Sequence, residues 1–424
     1  MLRIRIAIII VLSAGIAAGI SAQTAETLDA DAAVQLALKN NLSLQRTKLA
    51  ADAAKRASDR SWNSLIPTAT ASTTRTLPNE AVIGEPEWTT RNALSLSLSL
   101  SPSIVSEMKQ AKLEYESGLI DYEQARRSLE LATRKAFAQL LLYGANIDIA
   151  ERKIETARSR YEQTAAKAKV GQASQLDALS AQVDWETLKP SLSAAETAYA
   201  DALDEFRTLL GLPTDRDLAL AGTLEAGIDS SALSAERTGE SAEAAALRKS
   251  VEVAVAGKKA VRDSALLPSL TLSYTEAPTY SNEAWSDAGS FSVSLGLKLD
   301  GFLPWSSTQE AMDQYDDTVA TLNNRIAEAE LASDATIRQL RRSVEKSFGS
   351  LEALSLNVSL AEQSYAMYEE AFRKGTSDLQ SLKSAGDTLE EARLSVLKER
   401  YTLATALLDL ENELNVPFGS IGKR

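Results

Sequence analysis

The sequence predicts a mainly helical chain with a small β part. Long helical hairpins are duplicated in tandem, and four short strands per chain can close a membrane barrel only with strands from other copies. Three observations predict this. Apolar seams recur every seven residues over very long stretches. One Tyr–Gly–Pro frame occurs twice. Ribbons such as "LSLSLSLS" (Leu94–Ser101) alternate leucine and serine without a break.

The elements follow in chain order. Residues 1–22 read as a secretory signal peptide: Arg3 and Arg5 form a basic start, Ile6 to about Ile20 is apolar, and Ser21-Ala22 offers a small-residue cleavage site. A first repeat is expected over 23–211, a linker over 212–240 with one short strand at Leu218–Ala221, a second repeat over 241–418 and a tail over 419–424. Each repeat has the order helix, two strands, very long helix, glycine turn, return helix. The duplication rests on matched spacing. Tyr161 precedes Gly171 by ten residues and Pro213 follows it by 42; Tyr365, Gly375 and Pro417 keep the same intervals. "LIPTATAS" (Leu65–Ser72) likewise returns as "LLPSLTLS" (Leu266–Ser273). A shared frame at one common offset is a repeat rather than a coincidence of composition.

The long helices carry heptad seams: Met108, Tyr115, Tyr122, Leu129 and onward to Ala157 in one copy, and Ile337, Val344, Leu351, Val358, Tyr365, Phe372 in the other. Seven-residue repeats of this length indicate coiled-coil packing. The first long helix, about Ile104 to Val170, would reach roughly 100 Å at 1.5 Å rise per residue. Gly171 and Gly375 end these helices, and Ser174 and Ser377 are N-cap candidates for the return helices. Pro190 predicts a kink or a break in the first return helix.

The four strands are expected near Pro67–Leu77, Asn92–Ser101, Pro268–Thr275 and Ser290–Leu299. Alternation assigns Leu94, Leu96, Leu98, Leu100, Leu270, Leu272, Phe291, Val293, Leu295 and Leu297 to a lipid-facing side. It assigns Ser95, Ser97, Ser99, Ser292 and Ser294 to a wet lumen. Strands of about ten residues suit a tilted bilayer crossing. Trp62 and Trp305 at the helix side, with Trp88 and Trp285 in the connecting loops, bracket the apolar band as an aromatic girdle. Four strands cannot close a barrel, so two copies would give eight strands and three would give twelve.

Composition excludes several functions. The 424 residues include no cysteine and no histidine, which removes thiolate chemistry and the commonest general base and metal ligand. No catalytic, metal-binding or cofactor-binding constellation is found. The formal net charge of −13, which becomes −15 without Arg3 and Arg5, argues against nucleic acid as a partner.

The segments "AVQLALKNNLSLQ" (Ala33–Gln45), "KVGQASQLDALSAQV" (Lys169–Val183) and "FRKGTSDLQSLKSAGDTLEEA" (Phe372–Ala392) resemble the TolC-type outer-membrane efflux proteins. The resemblance spans essentially the whole mature length. It implies a homotrimer with a twelve-stranded β-barrel in the outer membrane, continued by a twelve-helix α-barrel through the periplasm. It also implies docking of a periplasmic adaptor and an inner-membrane pump. Gly171, Gln172, Ala173, Ser174, Gly375, Thr376 and Ser377 would form the adaptor-facing tips. The family places acidic gate residues shortly after each hairpin glycine, which makes Asp177 a candidate, with Asp378, Ser381 and Ser384 in the second copy. The serines at the matched places depart from the family's acidic constriction. The implied function is a passive exit duct for efflux or type I secretion. A secreted structural coiled-coil protein of the cell surface is the alternative: it accounts for the heptads but not for the tryptophan-bracketed ribbons.

Overall fold

The computed structural model describes residues 27–79, 88–224, 227–228, 237, 239–281, 283–286 and 289–423. The expected signal peptide and much of the expected linker lie outside them. The first repeat comprises β1 (Thr27–Leu28), α1 (Ala30–Asn40), α2 (Leu42–Asp59), β2 (Thr68–Thr76), β3 (Thr89–Leu100), α3 (Ser103–Lys169) and α4 (Gln175–Leu209). β4 (Ala219–Leu220) and β5 (Gly227–Ile228) follow. The second comprises α5 (Ala242–Leu266), β6 (Ser269–Glu276), β7 (Thr279–Ser281), β8 (Ala284–Ser286), β9 (Gly289–Gly296), α6 (Ser307–Arg373) and α7 (Leu379–Glu413), and β10 (Gly422–Lys423) ends the chain.

The duplication is metric. α3 and α6 each span 67 residues, α4 and α7 each span 35, and both pairs start 204 positions apart. The core repeats at the same interval. Leu140, Phe206 and Leu210 are buried in one cluster, and Val344, Leu410 and Leu414 are buried in the other. After the return helix the chain turns through positive φ in both copies, at Gly211 (67°) and Asn415 (55°). Glycine and asparagine are the two residues that enter this region most readily.

α3 and α6 run the full length of the molecule. Near the sheet, α2 packs on α3, α3 on α5 and α5 on α6; toward the tips, α4 packs on α3, α3 on α7 and α7 on α6. The result is a curved helical wall with open edges at α2/α4 and at α6.

Polar pins hold the middle of this wall. Asn41 separates α1 from α2: its Oδ1 accepts from the Leu44 amide at 2.9 Å, and its Nδ2 donates to the Leu209 carbonyl at 2.9 Å. Glu411 is buried, and its carboxylate accepts from the Gly419 and Ile421 amides, both at 2.8 Å. Arg127 of α3 donates to the carbonyls of Glu411 (2.8 Å) and Val416 (2.7 Å) and lies over the Phe418 ring. Burial pushes its guanidinium below the ordinary arginine range, opposed by Glu130 and Glu411. β1 pairs with β4 and β5 with β10 in two small sheets nearby.

One local expectation is narrowed and another corrected. α4 runs unbroken through Pro190, so no break occurs there. The N-cap of α7 is Asp378, not Ser377: its carboxylate accepts from the Ser381 amide at 2.7 Å. Asp378 is the residue 204 positions after Ser174, which caps α4; the repeat, not residue type alone, locates the cap.

Gly211→Ala should lower stability by about 2–4 kcal/mol, combining the left-handed penalty with a steric clash. A Cβ at Gly211 would stand 2.7 Å from the Asn40 carbonyl carbon. Gly171→Ala should cost only about 1 kcal/mol, because nothing lies within 4 Å of its Cβ position. Thermal unfolding in detergent, followed by helical circular dichroism, ranks the two.

Candidate functional site

The sheet is the first part of the site. β2 pairs with β3, β3 with β6 and β6 with β9, all antiparallel. The register separates its two faces completely over the central rows. Leu96 stands beside Ala69 and Tyr274, Tyr274 beside Phe291, and Leu98–Leu272–Val293 and Leu100–Leu270–Leu295 form the next rows. The other face carries Thr68–Ser97–Ser273–Ser292 and Ser99–Thr271–Ser294. Its hydroxyls bond to one another and to backbone: Ser273 and Ser292 Oγ atoms are 2.7 Å apart, and Thr68 Oγ1 donates to the Ser97 carbonyl at 3.1 Å. No charged side chain lies in those rows.

Three details differ from the sequence expectation. β9 stops at Gly296, so Leu297 falls just past the strand. Gly296 pairs with Ser269, which leaves Pro268 opposite Leu297, and proline has no N–H to extend the ladder. The second hairpin is also broken near its far end. β7 and β8 pair with each other, and β7 continues along β3 beyond Ala277–Pro278. Last, Glu276 stands in the Leu94 row, on the apolar face, with its Oε2 accepting from the Tyr274 hydroxyl at 2.6 Å. Alternation missed it because the expected strand ended at Thr275.

Trp62 and Trp305 lie at the helix end of the sheet, and Trp88 and Trp285 at the far end; all four are exposed. Trp285 packs against Tyr280 at 5.3 Å between ring centroids, and the Arg75 guanidinium lies 4.6 Å over Trp88. No local sequence pattern reveals the Arg75 contact, since it joins two residues across the hairpin rather than along one strand.

The hairpin tips are the second part. Gly171 (φ 76°) and Gly375 (φ 77°) end the long helices in left-handed turns. The following amides bond back: Gln172 N–H to the Lys167 carbonyl at 2.8 Å, and Thr376 N–H to the Ala371 carbonyl at 2.9 Å. Ala173 and Ser377 complete the two turns. Ser174 and Asp177 form a reciprocal capping box, with Asp177 N–H on Ser174 Oγ at 3.0 Å and Ser174 N–H on Asp177 Oδ2 at 3.1 Å. In the second tip the Asp378 carboxylate takes both the amide and the hydroxyl of Ser381. These bonds, the Ser381 amide first, hold Asp378 below the usual carboxylate range. Ser384 lies one turn on, and its carbonyl accepts from Thr388. Asp177 and Asp378 thus sit at equivalent ends of the two hairpins, but not at equivalent positions.

Just beyond the tips the hairpins are tied together. Lys383 of α7 pairs with Asp184 of α4 at 2.6 Å, and Lys153 of α3 pairs with Asp387 of α7 at 3.0 Å.

Residues 33–212 match the family model of outer membrane efflux proteins. That stretch is similar to this family. The fold is similar to the outer membrane channel CmeC of Campylobacter jejuni, with a TM-score of 0.75 and 17% identity over 91% of this chain and 85% of that one. It is similar to the MtrE outer membrane channel of Neisseria gonorrhoeae in its open state (TM-score 0.73, 19% identity, 91% of this chain and 89% of that one). It is also similar to the outer membrane protein VceC of Vibrio cholerae (TM-score 0.73, 14% identity, 92% and 96%). No curated protein sequence matches the chain. Among the described residues no helix is long and apolar enough to cross a membrane.

Leu96→Arg and Leu98→Arg should block stable outer-membrane assembly, since a lipid-facing arginine at mid-bilayer costs about 2–4 kcal/mol. Ser97→Arg should assemble and reduce conductance in planar bilayers. Normal assembly of both leucine variants would reverse the assignment of faces.

Asp378 also predicts a pH response at the second tip. Its folded pKa is depressed, so its contribution is complete above the usual carboxylate range and is lost as pH falls through the folded value. Hydrogen-exchange protection at the start of α7, corrected for intrinsic rates, should fall on acidification, and Asp378→Ser should remove that dependence.

Proposed function

We propose that this chain is the passive exit duct of a tripartite efflux pump or a type I secretion system, spanning the outer membrane and reaching through the periplasm. The observation that carries this reading is the coincidence of open edges. β2 is the unpaired margin on one side of the sheet, β9 with the short β8 is the margin on the other, and α2/α4 and α6 are the margins of the helical wall. β2 follows directly from α2, and β9 leads into α6. One side of the molecule therefore offers β2 with α2/α4, and the other offers β9 with α6. Head-to-tail association of such unlike edges generates a closed ring. Three copies give twelve strands, enough for an aqueous lumen rather than a filled core.

In that ring the leucine face meets lipid and the serine–threonine face lines the passage. The tips then lie about 100 Å from the sheet, judged from 67 helical residues, where an adaptor and an inner-membrane pump supply the energy. Asp177 is the first choice for a gate residue, with Ser381 at its matched position and Asp378 and Ser384 beside it in the second copy. The secreted coiled-coil alternative leaves the apolar sheet face uncovered.

The purified protein should extract only with detergent, run as a trimer and conduct in planar bilayers. Asp177→Asn should leave the trimer intact and shift the zero-current potential across a salt gradient toward weaker cation preference. A soluble, non-conducting mature protein overturns the duct; unchanged selectivity assigns Asp177 to helix capping alone.

A further inference from the structure

We infer that the tip half of the helical ring closes through two chemically unequal kinds of seam: there the seam inside each chain is charged and wet, and the seam between chains is apolar and dry. This rests on the duct reading, because it requires a ring. The argument comes from the 204-residue repeat. Inside the chain α3 packs on α7. Moving both elements by one repeat puts α6 where α3 was and the next copy's α4 where α7 was. The internal junction is therefore a template for the junction between copies, and it names the occupant of the open α6 face as α4 of a second copy of this chain.

The internal junction is built from charge. Three basic residues of α3 reach across it to α7 and the segment after it, and a fourth, Lys167, reaches the end of α6. Arg127 holds the Glu411 and Val416 carbonyls, Lys135 pairs with Asp409 at 2.5 Å, Lys153 pairs with Asp387 at 3.0 Å, and Lys167 donates to the Phe372 carbonyl at 3.4 Å. Asp184 and Lys383 add a pair between α4 and α7 at 2.6 Å. Between the helices lies a cavity of about 190 Å³ lined by Lys153, Arg160, Asp184, Lys383, Asp387 and Glu390, among others. The buried Oε2 of Glu390 meets no protein donor among the described residues. A cavity of that size and polarity suits water.

One repeat later this charge is lost along the tip half of the junction; toward the sheet the order reverses, since Phe137, Ala138 and Leu141, which line a cavity with Leu407 and Leu408, correspond to Arg341, Arg342 and Glu345. Arg127, Lys135, Lys153 and Lys167 are replaced by Leu331, Gln339, Asn357 and Ala371. On the facing helix, Asp387 and Lys383 correspond to Val183 and Leu179, and Asp184 corresponds to Thr388. Thr156, on the cavity wall, corresponds to Leu360. Of the acidic residues, Glu205 and Glu186 remain in place of Asp409 and Glu390, and neither finds a cation among the four replaced positions. These apolar substitutes are uncovered in a single chain: Leu331 is 71% exposed, Leu360 53%, Leu179 58% and Val183 52%. The same register that gives each internal lysine its carboxylate brings Leu360 toward Leu179 and Val183 of the next copy. The internal seam should loosen as salt screens its pairs, and the seam between copies should not.

The chain has no cysteine, so introduced cysteines report alone. Thr156→Cys and Leu360→Cys are compared in the detergent-extracted assembly by their rate of reaction with a charged maleimide. Leu360→Cys should react at least about tenfold more slowly, and the two should converge after dissociation in SDS. Raising salt from about 0.05 to 1 M, which shortens the screening length several-fold, should speed Thr156→Cys severalfold and leave Leu360→Cys unchanged. A short bismaleimide should join Val183→Cys/Asn357→Cys chains into covalent dimers and trimers, while Lys153→Cys/Asp387→Cys should link within one chain. Equal labelling in an intact conducting ring, or a Val183→Cys/Asn357→Cys link confined to single chains, overturns the two-seam inference alone. A protein that runs as a single chain and does not conduct overturns the duct reading and the seams with it.

Discussion

An open strand edge cannot stand in hydrocarbon, because its unpaired N–H and C=O groups find no water there. Among the described residues the sheet has two such margins, one on β2 and one on β9 with the short β8. That constraint orders the rest of the molecule. In the proposed duct the strands need other copies, so the helices attached to them must meet other copies too, and both kinds of margin must fall on matching sides. The chain satisfies this by connectivity: α2 enters the sheet at one edge strand and α6 leaves it at the other. The leucine and serine faces follow from the same requirement. A barrel closed by its neighbours has one side in lipid and one in water along every strand.

The helices must then keep a fixed relation over a length far beyond that of a compact domain. Heptad packing supplies the continuous contact, but it does not fix how far one helix slides along another. The pins around the two buried clusters do that. Arg127 reaches from α3 to the carbonyls at the end of α7, and Glu411 gathers the amides of the segment that follows. The corresponding position in the first copy is Arg207, which holds the Arg216 carbonyl at 2.9 Å. A guanidinium gathers a carbonyl in one copy and a carboxylate gathers amides in the other. The backbone turn is the same, and the side chain that secures it has opposite charge. A buried charge with its hydrogen bonds met is tolerated in either sign.

The sequence made this architecture legible wherever a regular period survived. Heptads located the long helices, alternation located the four strands, and the Tyr–Gly–Pro frame exposed the duplication. Less was legible where one residue interrupts a period or where partners are distant. Pro278 lies beside the break between β6 and β7, and Pro268 ends the ladder before Leu297, because both lack the N–H that pairing requires. Asn41 divides α1 from α2 through a bond to Leu209, a partner 168 residues away that no local pattern reveals. The pairing of β5 with β10 involves two residues on each side, too few to carry a period. Of the candidate site, the tips and sheet faces could be read in advance. The links from Lys153 and Lys383 could not, since they depend on which helix faces face each other.

The two copies have diverged in the way their two environments demand. A junction within one chain forms at high effective concentration, because the elements are already tethered. It needs little intrinsic affinity and can accommodate charges that stay hydrated. A junction between chains has no tether and must offset the loss of translational and rotational freedom on association. Burying paired charges there brings a desolvation cost that the pairing often fails to recover, whereas leucine and valine surfaces gain directly from leaving water. Toward the tips, basic residues along α3 and neutral ones at the matching places along α6 are therefore the distribution that would let one repeat serve both junctions. The internal seam can remain compliant while the assembly stays closed, which is the combination a duct that changes width without coming apart requires.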